Sequence, residues 1–222
     1  MNRAALFTAF AGVTLAGAGY LAHRVETRTR VAPASGVIPI VTPFIDIDVA
    51  EDVLAVMERL PDEHVTLVLH TLGGCVTACL MIANALQQFR ESTAVVPYMA
   101  ISGGTLIALN ATNLEMGRSA SLSAVDPVIM GQRVKHLAEN KDDPGIAGLA
   151  REYETAMRKY LRDTLSAHVE EDRLDAAMAA FMGEHAPHEW PIRRPEVAAL
   201  GILVAPAAPN WTALVDRLRG RR

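Results

Sequence analysis

Ser102 and a glycine pair lie between two apolar runs in the segment PYMAISGGTLIALNA, residues 97–111. The run before them predicts a buried strand, and the run after them predicts a helix. A serine at such a junction can serve as a nucleophile, because the strand end fixes its position and the helix N-terminus stabilises negative charge. Gly103 and Gly104 leave room for a carbonyl group to approach the backbone. A glycine-rich turn in a buried core would have the same sequence, so this motif alone leaves both interpretations open.

A second glycine pair, Gly73-Gly74 in HTLGG, follows the β-branched run HVTLVLH at residues 64–70. That run is typical of a strand buried on both faces. The carboxyl ends of neighbouring parallel strands meet at one edge of a sheet, where ligands bind. We therefore expect the two glycine turns to lie together, with N–H groups of the second pair completing an oxyanion hole beside Ser102.

The elements around these motifs alternate between strand and helix patterns, which predicts an α/β fold with a parallel sheet and crossover helices. The strand and helix segments are, in order, 36–43, 49–60, 64–70, 76–89, 93–101 and 105–113, with a short strand and loop at 114–127. The polar stretch 132–145 predicts a mobile loop, and 146–182 predicts a long helical region. A short helix and a last strand follow in 195–206.

The composition is that of a globular protein with one sizeable core: 222 residues, 50% hydrophobic and 21% charged. The net charge of -4 gives no reason to expect nucleic acid as a partner. Cys75 and Cys79 share a helix face and fit small core residues better than a metal site. His185 and His188 are three residues apart but have no third ligand in view. We expect neither a metal nor a cofactor.

The N-terminal segment Ala4–Ala22 carries no charge and would form a helix about 28 Å long, close to the thickness of a bilayer core. The basic residues Arg24, Arg28 and Arg30 follow this run rather than precede it. That order favours an uncleaved single-pass anchor with the body of the protein in the cytoplasm. A cleaved signal peptide is the alternative.

These observations divide the chain into four parts. We predict an N-terminal membrane anchor or signal sequence with its basic flank at 1–30, a linker at 31–36, a globular domain at 37–207 and a basic tail at 208–222. The amphipathic sequence of the tail predicts a solvated terminal helix, with contact to a membrane surface as the second interpretation.

Four segments occur in the order seen in a known family: 44–74, 95–111, LSAVDPVIMG at 122–131 and HEWPIRRPEVAALGI at 188–202. They resemble the serine dehydrogenase proteinase family, a ClpP/crotonase-fold group related to signal peptide peptidase A and to Clp protease. The likeness runs from about residue 37 to 205. It implies a ClpP/crotonase-like fold, here preceded by a transmembrane helix, homo-oligomeric assembly and serine peptidase chemistry on polypeptides. By the motif match, Ser102 is the nucleophile, and Gly73, Gly74 and Gly103 are the oxyanion-hole donors.

The chain departs from its relatives at two places. Leu72 replaces the proline of the usual HTPGG, although both glycines stay. The general base is less clear, because signal peptide peptidase A-like enzymes carry a lysine where this chain has Thr155. Lys159 lies one helical turn further, and His188 matches a family histidine. Asp126 lies in the region where Clp protease has its histidine, and a carboxylate is poorly suited to that role.

Three hypotheses follow. The first is a membrane-anchored serine endopeptidase that cleaves membrane-associated or misfolded polypeptides, with Ser102 as nucleophile and Lys159 or His188 as base. The second is a scaffold or peptide-binding protein that has lost its general base, because Thr155 stands at the lysine position. The third is an acyl-CoA enzyme of the crotonase type, although no sequence pattern points to a CoA pocket.

Overall fold

The computed structural model describes residues 36–220. A parallel sheet of five strands, in the order β1-β2-β3-β4-β9, forms its centre. The strands are β1 (Val37–Val41), β2 (His64–His70), β3 (Glu91–Val96), β4 (Asn113–Met116) and β9 (Val204–Pro206). The predicted parallel α/β sheet is confirmed. Pro39 lies in β1, an edge strand, where a residue without an N–H group is tolerated.

Three helices connect the first four strands: α1 (Ile47–Met57), α2 (Val76–Leu86) and α3 (Gly103–Leu109). The apolar periodicity of α1 places Ala50, Val53 and Met57 in the core. Asp46 caps this helix, because its carboxylate accepts a hydrogen bond from the N–H of Val49 at 3.0 Å. The three helices pack with α5 (Pro144–Leu165) and α6 (Glu171–Phe181) in the main hydrophobic core on one face of the sheet.

The C-terminal helix α8 (Pro209–Leu218) covers the other face of the sheet. Its Val215 is fully buried against Val68 and Val95, two residues whose neighbours along β2 and β3 face the main core. The hydroxyl of Tyr98 also donates to the carboxylate of Asp216, at 2.9 and 2.8 Å from its two oxygens. The segment predicted as a solvated tail therefore forms a second layer on the sheet. Its apolar side chains pack against β2 and β3, a contact that sequence periodicity does not reveal.

The polar stretch 132–145, predicted as a mobile loop, contains regular structure. Strands β6 (Val128–Ile129) and β7 (Gln132–Arg133) form an antiparallel hairpin, and α4 (Val134–Leu137) follows directly. A second antiparallel pair joins β5 (Ser121–Leu122) to β8 (Ile192–Arg193), immediately before the short helix α7 (Arg194–Ala199). The predicted helical region 146–182 is two helices, α5 and α6. These small elements lie after the nucleophile segment and bring distant parts of the chain to it.

The predicted membrane localisation requires correction. Between residues 36 and 220, no helix combines the length and apolar character needed to cross a bilayer. The segment Ala4–Ala22, on which the prediction of an anchor was based, lies outside the described residues. We therefore withdraw the single-pass membrane assignment.

The packing of α8 can be tested with Val215→Ala. We expect this change to lower the free energy of unfolding by about 2–3 kcal/mol, because it removes two buried methyl groups and leaves a cavity. Leu218→Ala, on the partly exposed end of the same helix, is the control and should cost less than about 0.5 kcal/mol. Urea denaturation measures both. Equal, small effects would show that α8 is only loosely attached to the sheet.

Candidate active site

Ser102 occupies the sharp turn between β3 and α3 in a backbone conformation that non-glycine residues rarely adopt. Its φ is 52° and its ψ is -117°. A non-glycine residue held in such a region costs on the order of 1–3 kcal/mol, and it persists only where its surroundings enforce it. A strand-to-helix turn of this kind displays the serine hydroxyl at the end of a sheet, as the nucleophile elbow of hydrolases does. Ser102 is half-buried.

A network of buried hydroxyl groups enforces this turn. The N–H of Ser102 donates to Oγ of Ser123 at 2.8 Å, and the N–H of Ser123 donates to Oγ1 of Thr105 at 2.9 Å. The hydroxyl of Thr105 in turn donates to the carbonyl oxygen of Ala100 at 2.6 Å. Both Ser123 and Thr105 are fully buried. Sequence reasoning missed both residues, because a buried hydroxyl in a core segment carries no motif.

The two glycine turns meet, as the sequence predicts. A Cβ atom at Gly73, whose φ is +100°, would lie 2.8 Å from Cβ of Ser102, so only glycine fits against the nucleophile. A Cβ atom at Gly103 would lie 3.5 Å from the backbone nitrogen of Gly74. The carboxyl ends of β2 and β3 therefore face each other across the space beside Ser102.

The backbone donors in this space are the N–H groups of Gly74 and Gly103. Within residues 36–220, neither group has a hydrogen-bond partner. The N–H of Gly73, by contrast, donates to Oγ1 of Thr71 at 3.0 Å. Of the three glycines predicted as donors, Gly73 therefore contributes close packing, and the other two present N–H groups that can receive a developing negative charge.

Asp126 and His188, which are 62 residues apart in sequence, form a hydrogen-bonded pair. Nδ1 of His188 lies 2.8 Å from Oδ1 of Asp126, and their side chains are 16% and 2% exposed. Asp126 follows β5 by four residues and His188 precedes β8 by four residues, so the antiparallel pairing of these strands brings the two residues to the same region. Ser123, whose hydroxyl accepts the N–H of Ser102, lies three residues before Asp126, so one stretch of chain connects the serine turn to the carboxylate.

The electrostatics of the pair favour an ionised carboxylate. Burial raises the pKa of Asp126, but the hydrogen bonds from His188 and Arg133 outweigh it and leave that pKa below its usual value. An ionised carboxylate can only accept hydrogen bonds, so Nδ1 of His188 is the donor. When the imidazole is neutral, Nε2 carries the lone pair that accepts a proton, as a general base requires.

Lys159, the other predicted base, lies on the solvent side of α5. Its side chain is 80% exposed, and its ammonium is 3.1 Å from the carboxylate of Asp163. Thr155, which the sequence resemblance sets at the lysine position, donates its hydroxyl to the carbonyl oxygen of Arg151 at 2.7 Å. Across residues 36–220, no hydrogen bond or ion pair joins either side chain to the Ser102 turn. The structure thus brings His188 and Asp126 together and leaves Lys159 in solvent.

Residues 22–213 match the family described as ClpP-like SDH-type serine proteinase. The chain belongs to this family. The resemblance stated from the sequence motifs is therefore confirmed over most of the chain. The match to this family supports serine peptidase chemistry as the general activity of the site.

The chain is also similar to two proteins of one organism and to one solved structure. Uncharacterized protein MJ0137 of Methanocaldococcus jannaschii is 31% identical over 180 residues, covering 75% of this chain and 63% of its own length. Uncharacterized protein MJ1495 of the same organism is 38% identical over 88 residues, 39% of this chain and 30% of its own. This chain thus spans less than two-thirds of either relative. A ClpP1 mutant from Listeria monocytogenes superposes with a TM-score of 0.58 at 13% identity, covering 81% of this chain and 96% of that one, which confirms the ClpP-like fold.

The lowered pKa of Asp126 predicts a pH-dependent contribution to stability. A carboxyl group whose folded-state pKa is depressed stabilises the fold above its unfolded pKa of about 3.9, and this stabilisation is lost as pH falls through the folded-state value. We therefore expect Asp126→Asn to be destabilised at pH 5, and its difference from wild type to shrink as pH falls toward 2. Denaturant titrations between these values measure it, and a difference that stays constant with pH would contradict the assignment.

The tight packing beneath the nucleophile can be tested at Gly103. A Cβ atom there would lie 2.3 Å from Sγ of Cys79, a thiol whose pKa burial and the neighbouring Cys75 raise to about 12 and which therefore packs as a neutral group. Gly103→Ala should cost about 1–3 kcal/mol of stability through overpacking. In a Cys79→Ala background the same change should cost clearly less, because the sulfur is gone. Additive effects in this double-mutant cycle would contradict the contact.

Proposed function

We propose that this chain is a serine endopeptidase in which Ser102 attacks the peptide carbonyl, His188 acts as the general base and Asp126 orients the imidazole. The observation that carries the proposal is the hydrogen-bonded Asp126–His188 pair, whose carboxylate lies three residues after Ser123, the residue that holds the backbone N–H of Ser102. This pair supplies the base whose absence motivated the scaffold hypothesis. It favours His188 over the exposed Lys159.

Each of these groups has a role in the acylation step. Oγ of Ser102 forms a bond to the carbonyl carbon while Nε2 of His188 takes the hydroxyl proton. The resulting oxyanion accepts hydrogen bonds from the N–H groups of Gly74 and Gly103. When the carbon–nitrogen bond breaks, the imidazolium returns that proton to the leaving amine. Asp126 stays ionised throughout and stabilises the imidazolium.

Deacylation repeats the sequence with water. His188 takes a proton from a water molecule, whose oxygen attacks the acyl-enzyme carbonyl, and then returns the proton to Oγ of Ser102. Within residues 36–220 the hydroxyl of Ser102 makes no hydrogen bond in the free protein. The proposal therefore includes formation of the serine–histidine hydrogen bond in the substrate complex, as is common for sites that are loose before substrate binds.

The substrate that we propose is an extended, apolar-rich segment of a misfolded polypeptide. Exposed apolar side chains lie close in sequence to the proposed catalytic residues. Leu72 directly precedes the oxyanion glycines, Phe44 lies in the loop beside it, and Trp190 follows His188 by two residues. The N–H of Leu72 donates to the carbonyl oxygen of Pro43 at 3.2 Å, which holds the first two regions together. Misfolded chains expose the apolar side chains that such a surface can bind.

Homo-oligomeric assembly is a further part of the proposal. The exposed side chains of Met130 at the β6–β7 turn and Leu203 beside β9 are large apolar groups that a second copy of the chain can cover. Sedimentation of the full chain measures this directly, and a single monomeric species across the accessible concentration range would exclude it.

A fluorophosphonate reagent tests the catalytic proposal. We expect the wild-type protein to be labelled at Ser102, and Ser102→Ala to remain unlabelled. His188→Gln should lower the labelling rate by about 10²–10⁴-fold, which is the usual contribution of a general base. Mass spectrometry identifies the modified residue.

Two matched controls separate the candidate bases. His185→Gln removes an exposed imidazole three residues before His188 and should leave the labelling rate unchanged, as should Lys159→Met. A loss of labelling in Lys159→Met but not in His188→Gln would return the role of base to the lysine. A wild-type protein that is folded but not labelled would favour the scaffold hypothesis.

A further inference from the structure

The guanidinium of Arg133 connects Asp126 to the chain segment that leads to the catalytic histidine. Its Nε donates to Oδ2 of Asp126, the oxygen that His188 does not use. Its Nη1 donates to the carbonyl oxygen of Ala186 at 2.7 Å, and its Nη2 donates to that of Gly183 at 2.7 Å. The side chain is only 13% exposed. One buried planar cation therefore holds both sides of the Asp126–His188 contact.

The surrounding chain is shaped to admit this side chain. Gly183 has a φ of +59°, and a Cβ atom there would lie 2.3 Å from Nη2 of Arg133 and 2.9 Å from Cβ of Ala124. Only glycine leaves the guanidinium room to reach the carbonyl oxygens behind it. The fork of Arg133 thus occupies a built position with four hydrogen-bond partners, the fourth being the carbonyl oxygen of Met182 at 3.3 Å.

Two other cations attach the same segment without touching Asp126. Nζ of Lys135 donates to the carbonyl oxygen of Gly183 at 2.8 Å, and Arg158 pairs with the carboxylate of Glu184 at 2.8 Å. The segment is therefore fastened to α4 and α5 independently of Arg133. What Arg133 adds is the connection between this segment and the carboxylate.

We propose that Arg133 is a positioning residue of the peptidase site, which sets the carboxylate of Asp126 against Nδ1 of His188. The proposal rests on the catalytic roles proposed above. Arginine suits this task because its guanidinium is planar, permanently charged and able to donate in several fixed directions at once. By occupying Oδ2, it leaves Oδ1 as the acceptor for the imidazole and fixes the side of the ring that carries the proton.

The test compares Arg133→Lys and Arg133→Gln with Lys135→Met in the full-length protein. Lysine keeps the charge of Arg133 but cannot reproduce the fork. We expect both Arg133 variants to lower the maximal rate of fluorophosphonate labelling by about 10²-fold, the cost of a displaced catalytic group, with little change in reagent affinity. Lys135→Met removes a tether of the same segment and should keep the wild-type rate. Thermal denaturation confirms that each variant is folded.

A spectroscopic measurement tests the positioning without relying on activity. In the Ser102→Ala background, the Nδ1 proton of His188 should give a downfield proton NMR resonance, assigned by its disappearance in His188→Gln. We expect this resonance to be lost or shifted in Arg133→Lys and retained in Lys135→Met. Its loss in a folded Arg133→Lys protein would support the positioning role even if no serine reagent labels the wild type.

The results that would overturn the proposal are equally specific. An Arg133→Lys protein that keeps both the wild-type labelling rate and the downfield resonance would show that the fork is not needed. A change of equal size in Lys135→Met would show that attachment of the segment, rather than orientation of the carboxylate, is what matters. If His188→Gln abolishes labelling while both Arg133 variants keep it, the peptidase proposal stands and the role of Arg133 is excluded.

Discussion

The backbone conformation of Ser102 is the constraint on which the site depends. A positive φ at a residue with a side chain is costly, and here it is held by hydrogen bonds at both ends of the residue. Its N–H donates to Ser123, and its carbonyl oxygen accepts from the N–H of Leu106 at 3.1 Å as α3 begins. The close packing of Gly73 against Ser102 then leaves no space for the turn to adopt another conformation. The parallel sheet supplies the frame, because only adjacent strand ends bring two such turns together.

The two halves of the site are stabilised in different ways. The Ser102 turn and the two glycine turns are attached to the main hydrophobic core, where apolar burial against the sheet holds them. The Asp126–His188 pair is held instead by short antiparallel strands and by partly buried cations that bind backbone carbonyl groups. Such polar contacts are directional, so they can orient an imidazole, which apolar packing alone does not do. This division gives the site a serine turn that is fixed by apolar packing and an imidazole that is oriented by polar contacts.

The arrangement differs instructively from that implied by the resemblance to Clp protease. The region that carries the histidine in Clp protease carries Asp126 here, and the imidazole comes from His188, 62 residues later in the chain. A carboxylate in that region looks like the loss of a base when residues are compared position by position. In three dimensions the pair is present, because the antiparallel pairing of β5 with β8 brings together the chain segments that carry Asp126 and His188. The same sheet, serine turn and glycine turns can accompany a histidine in either part of the chain.

The sequence by itself determined the parallel α/β fold, the serine turn and the meeting of the two glycine pairs, since these follow from local apolar patterns and from glycine at sharp turns. It pointed to His188 but could not give it a partner, and it treated the segment around Arg133 as a mobile loop. Only the tertiary structure decided these points, and it also placed Lys159 in solvent. The physical reason is range: turns and amphipathic helices are set by neighbouring residues, whereas a buried ion pair exists only where long-range strand pairing brings its members together.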